Sequence, residues 1–263
     1  VVAGSADAQL LNVSNLATGG TFTADGIEAL TVNGSLVAST LAVASDAITS
    51  LTVTGDQNLT LSASTTFAVD TDTATIASTI DASALTGKLD VTVGDVSTVK
   101  VTGGSANDTI RLAGTLEAND EIDGGAGTDT VVVSTSETAA LATLTNVEAI
   151  EMEGEDIGAD NATLTVSGTV SSTITNFIVD YNVGTDNQGG TIAVTNMDDD
   201  DTITVVEAGS DTGNASDGVH ITATAASDTA ANAHNLTLSG IGAVVASVTT
   251  DTGISKVTFD QTE

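Results

Sequence analysis

Asp120-Glu121-Ile122-Asp123-Gly124-Gly125-Ala126-Gly127-Thr128-Asp129-Thr130-Val131-Val132 is the stretch that decides how this chain is read. Gly124 to Val132 is a complete G-G-x-G-x-D-x-U-x nonapeptide, and the aspartate of a preceding repeat, Asp120, stands nine residues before Asp129. That pattern signals calcium. Glycines let the backbone bend tightly and turn carbonyl oxygens inward, and an aspartate adds a hard anionic oxygen suited to a hard divalent ion. The branched apolar residue two positions after each aspartate, Ile122 or Val131, then starts a short core-facing strand.

Working outward, Gly103-Gly104-Ser105-Ala106-Asn107-Asp108-Thr109-Ile110-Arg111 is a second, degenerate copy with Ala106 in the place of the third glycine. The aspartates 108, 120 and 129 lie 12 and 9 residues apart, so only the second interval has the regular repeat length. A short roll is expected, not a long array. The chain is accordingly divided into 1–102, a β-solenoid segment, 103–133, a calcium-binding roll, and 134–263, a second β-solenoid segment.

Alternation of apolar and polar residues recurs on both sides of the motif, as in Leu30-Thr31-Val32-Asn33, Leu51-Thr52-Val53-Thr54, Leu59-Thr60-Leu61-Ser62, Leu89-Asp90-Val91-Thr92-Val93 and Leu236-Thr237-Leu238. Such runs predict short strands, with Gly, Asn and Asp in the turns between them. A looser repeat, apolar-x-x-apolar-x-apolar-x-Gly, links Ile27 to Gly34 with Ile48 to Gly55, 21 residues apart, and recurs at Val96 to Gly103 and Val147 to Gly154. An interval near twenty suits one coil of a solenoid whose equivalent strands stack. The fold class expected is therefore all-β, a right-handed parallel β-solenoid or β-roll. Helical signal is confined to Ala6–Leu16 and Glu137–Leu144, the second with Ser134 and Ser136 as caps.

Composition closes off several functions. Four Lys and Arg stand against 36 Asp and Glu, a net charge of −32, and the four cations are scattered singly. No basic stripe exists to neutralise a nucleic acid or an anionic membrane. Cysteine and proline are absent, which removes disulfides and thiolate metal sites, and no apolar run is long enough to span a bilayer. Aromatics make up 2% of the chain, so the core must come from Val, Leu, Ile and Ala. The chain opens at Val1 without an initiator Met, as a processed chain or a segment of a longer one would.

Enzyme readings find little support. His220 and His234 are the only imidazoles, the first in a run that reads as a strand and the second in one that reads as a turn. No nucleophile elbow, zinc-binding helix or phosphate loop is present, and one Tyr with four Phe cannot build a sugar platform around a carboxylate pair. Asp198-Asp199-Asp200-Asp201 reads as a solvated loop in preference to a second cation site, and Glu151, Glu153 and Glu155 as carboxylates on one side of a strand that faces water in preference to binding cations at a subunit contact.

The run Val101–Ile110, followed by Ala118–Val131 and Leu144–Ile150, resembles the surface-layer proteins of Gram-negative bacteria that carry calcium-binding nonapeptides, the RTX repeats. The stretch Ile80–Gly87 is similar to segments of that group as well. The resemblance implies secretion by a type I exporter, self-association into a calcium-dependent lattice on the cell surface, and no catalysis. Cell-surface polysaccharide is the other partner class in keeping with it, and an RTX adhesin or matrix fibre using the roll as a spacer is the alternative. Carried onto this sequence, the Ca2+ ligands would be the side chains of Asp108, Asp120 and Asp129, with backbone carbonyls of Gly103, Gly104, Gly125 and Gly127. Asn107, Asn119 and Asp123 rank second. Ala106 and the longer first interval depart from the family pattern.

Overall fold

The computed structural model describes residues 7–17, 19–45, 47–62, 78–94, 98–113, 116, 119–134, 143–154, 163–165, 174–181, 191–197, 202–207, 219–225, 234–239, 245–250 and 254–260. Strands account for the regular structure, and no helix occurs among the described residues. The chain divides into two compact units, one of residues 1–132 with 142–147 and one of residues 133–141 with 148–263.

In the first unit the strands are β1 (Ala8–Val13), β2 (Gly20–Thr23), β3 (Ala29–Gly34), β4 (Ser39–Ala44), β5 (Ser50–Gly55), β6 (Leu59–Leu61), β7 (Ser78–Leu85), β8 (Leu89–Val93), β9 (Val99–Thr102), β10 (Thr109–Leu112), β11 (Glu121–Asp123), the start of β12 (Thr130–Ser134), and β13 (Thr143–Thr145). Odd-numbered strands stack in one parallel sheet, in the order β1-β3-β5-β7-β9-β11-β13, and even-numbered strands stack in a second. Each coil thus contributes one strand to each sheet, which is the architecture of a parallel β-solenoid.

Register follows the sequence repeat. Leu30 faces Leu51, Val32 faces Val53 and Gly34 faces Gly55, so the 21-residue interval is one coil. The same interval pairs Ala8 with Ala29 and Lys100 with Glu121. Side chains of a strand alternate between faces, so Leu30, Val32, Leu51, Val53, Ile80 and Val101 all point inward and are at most 1% exposed. From the second sheet Leu59, Leu61, Leu89, Val91 and Ile110 meet them, equally buried. In β7 the register shifts between Thr52 and Thr54 of its neighbour, a bulge that changes the phase and lets Leu85 turn inward as well as Ile80 and Ala82.

The expected helix at Ala6–Leu16 is instead β1 over Ala8–Val13. Its Ala, Gln and Leu content favours a helix locally, but the backbone pairs along its whole length with β3, and the Asn33 amide donates to Asn12 Oδ1 at 2.9 Å. Tertiary pairing overrides a weak propensity. The second expected helix falls largely outside the described residues, and its last two positions, Thr143 and Leu144, begin β13.

The second unit contains β14 (Ala149–Gly154), β15 (Thr163–Thr165), β16 (Asn176–Tyr181), β17 (Thr191–Met197), β18 (Thr202–Glu207), β19 (Val219–Ala225), β20 (His234–Ser239), β21 (Val245–Thr250) and β22 (Ile254–Asp260). It repeats the plan, with β14-β16-β18-β20-β22 in one parallel stack and β15-β17-β19-β21 in another. Phe177 is buried at 2% exposure near the start of β16.

Candidate metal centre

Two glycine-rich corner loops stand one coil apart. Residues 103–108 join β9 to β10, and residues 124–129 join β11 to β12. Backbone bonds tie them directly: Gly103 N–H donates to the Asp123 carbonyl at 2.7 Å, Ala126 N–H to the Gly104 carbonyl at 3.0 Å, and Thr130 N–H to the Asp108 carbonyl at 3.0 Å. A side chain adds to them, Asn107 Oδ1 accepting from Thr128 N–H at 3.0 Å. The structure therefore brings Gly103, Gly104, Asn107 and Asp108 against Gly125, Gly127 and Asp129. Asp120 and exposed Asn119 precede β11, at the other corner of the coil, and are not part of this group. The unequal intervals of 12 and 9 residues are the two arcs of one coil, and Asp108 lies 21 residues from Asp129.

The glycines are where close stacking needs them. Gly125 at φ +93° and Gly127 at φ +139° adopt backbone that L side chains rarely take. A Cβ on Gly127 would stand 2.6 Å from the Ala106 carbonyl oxygen, and one on Gly103 would collide with the Gly124 carbonyl. Ala106, the residue that departs from the motif, is outside the left-handed region and needs no glycine.

Asp108, Asp120 and Asp129 are 1%, 3% and 1% exposed, deep burial for carboxylates. Asp108 accepts Leu89 N–H on Oδ1 at 2.8 Å and Gly104 N–H on Oδ2 at 2.6 Å. Asp120 Oδ1 accepts Val99 N–H at 2.9 Å, and Asp129 Oδ1 accepts Asp108 N–H at 2.7 Å. Asp123, half-buried, accepts Gly125 N–H at 3.0 Å and the Asn146 amide at 2.8 Å. Burial pushes the Asp108 carboxyl above its ordinary range, opposed by the N–H groups of Leu89 and Gly104 and by the charge of Lys88. Two of the other cations are engaged with carboxylates at the surface, Lys100 with Glu121 at 2.8 Å and Arg111 with Asp90 at 3.6 Å.

Among the described residues no three His, Cys, Asp or Glu side chains gather tightly enough to hold a metal by themselves. Any ion here must draw most of its shell from backbone carbonyls. The residue types at the stacked loops suit calcium: two buried carboxylates one coil apart, on loops rich in glycine, with oxygen the only donor element. An ionised carboxylate offers about four lone-pair sites, so one that accepts an N–H retains capacity for a cation.

The remaining acidic and imidazole candidates fall elsewhere. Glu151 and Glu153 lie on β14, while Glu155 and the run Asp198–Asp201 are outside the described residues. His220 is in β19 as the sequence suggests, but His234 opens β20 and is not in a turn, because β20 pairs along its length with β22. Sequence reading passed over Glu28, which directly precedes β3 and accepts Asp7 N–H on Oε2 at 2.7 Å. The signal it left was position alone, an acid one residue before a strand.

Fold and site together define a parallel β-solenoid with glycine–aspartate corner loops. Compared with known protein families, with curated proteins and with solved structures, the chain matches none.

Proposed function

We propose that this chain is a structural, non-catalytic segment of a bacterial surface layer, secreted and assembled into a calcium-dependent lattice on the cell surface. The observation that carries the reading is the stacked pair of corner loops, with Asp108 and Asp129 buried one coil apart. Those two side chains, with carbonyls of Gly103, Gly104, Gly125 and Gly127, would hold Ca2+. Asp120 would serve the opposite corner. Bound there, the ion supplies positive charge to buried carboxylates in a chain of net charge −32. The chain's own part is to pre-stack the loops and to present a polar outward face, on which stacking sets Thr31, Thr52, Asp81, Thr102 and Asp123 in one row.

Stability gained from an ion grows with the logarithm of its free concentration over the dissociation constant, so weak sites fill at millimolar extracellular calcium. The test is thermal unfolding and particle size in excess chelator and then across a calcium titration to millimolar levels. A rise in unfolding temperature together with ordered sheets is the expected result. Stabilisation without self-association would favour an adhesin or matrix fibre in which the stack is a spacer. No response to calcium would overturn the metal sites.

A further inference from the structure

We propose that Asp108, Asp120 and Asp129 are coil-to-coil latches that set strand register through backbone N–H groups, before and independently of any cation. Each stands one residue before a strand, ahead of Thr109, Glu121 and Thr130. Each Oδ1 reaches back to an N–H of the preceding coil, at Leu89, Val99 and Asp108, over separations of 19, 21 and 21 residues. These donors belong to residues at most 2% exposed, so water cannot serve them. A buried N–H left without an acceptor is costly.

Two further observations separate this role from metal binding. Glu28 occupies the same place before β3, far from any glycine motif, and takes Asp7 N–H from the preceding coil in the same sense. Ser39, the first residue of β4, does the equivalent with a neutral group: its Oγ accepts Leu16 N–H at 3.3 Å from one coil back. The device therefore works without a calcium motif and without charge. What it requires is an acceptor of the right reach at the coil corner. Calcium, on this account, binds a stack whose register is already fixed.

The experiment compares wild type, D120N and D120A, and likewise D129N and D129A, all in excess chelator. Asn keeps Oδ1 and removes the charge, whereas Ala removes the acceptor. The Asn variants should unfold cooperatively near the wild-type temperature. The Ala variants should fall by roughly 3–10 °C, or fail to fold, given the cost of stranding a buried N–H in a chain of this size. Hydrogen exchange at the Val99 amide should accelerate in D120A and not in D120N. Equal losses in Asn and Ala variants, unchanged stability in both, or a wild-type chain without cooperative β-structure in chelator would each overturn the latch. The inference does not rest on the surface-layer reading: a wild type indifferent to added calcium would defeat that reading while the Asn–Ala contrast in chelator stood.

Discussion

At the scale of single residues, burial and local hydrogen bonding give two aspartates opposite pH behaviour. Asp108 is held above the ordinary carboxylate value of 3.8 by desolvation, so the folded chain binds its proton more tightly than the unfolded chain. Its contribution to stability is full below that value and is lost as pH rises through the raised folded pKa. Asp81 is held below 3.8, first by the Ser83 hydroxyl and then by the Ser83 N–H, against desolvation. Its contribution is present above 3.8 and is lost as pH falls through the lowered folded value. In calcium-free buffer, therefore, wild type should lose unfolding temperature relative to D108N as pH is raised from about 4 towards 7, measured by thermal melts at each pH. A difference that stays constant across the range would remove burial as the dominant influence on Asp108.

Elements show what could be read from sequence and what could not. The alternating runs at Leu30–Asn33, Leu51–Thr54 and Leu89–Val93 are strands because each puts branched aliphatics on one face of the pleat, and the pairing of Leu30 with Leu51 shows that their 21-residue repeat is a coil. At the site, the glycine–aspartate loops were legible, since few sequences need a Gly at both 125 and 127. Hidden were the pairing of Asp108 with Asp129 and the separation of Asp120, because motif spacing counts residues along the chain and the corners of a coil differ in length. β1 was missed because its composition is helical and only β3 supplies the reason for extension. The inward and outward faces predict sharply different mutational costs. Leu51→Ala, at a fully buried position flanked by Leu30 and Ile80, should cost about 2–5 kcal/mol, whereas Thr52→Ala on the outward face should change stability by less than about 0.5 kcal/mol, both checked by denaturant unfolding.

For the whole molecule, charge is the dominant quantity. Thirty-six acids against four cations make the folded chain self-repelling, since compaction brings like charges together. Exposed charges are screened by salt, with a Debye length of about 10 Å at 0.1 M and about 3 Å at 1 M. Raising sodium chloride from about 0.01 to about 0.5 M should increase the unfolding temperature in chelator, by calorimetry, with the larger part of the gain at the low end. A flat or falling response would mean that repulsion does not limit stability. Calcium effects are then to be read at constant ionic strength, so that general screening and site binding are separated.

Leu51 meets Ile80 across 29 residues as squarely as it meets Leu30 across 21. The coil interval is thus not a fixed length: other stacked pairs, Ser39 with Leu59 and Asp90 with Thr109, are only 20 and 19 residues apart. For an engineer or for evolution, that makes coil length a variable: one coil carries eight residues more than its neighbour while Leu51 keeps an aliphatic partner on both sides.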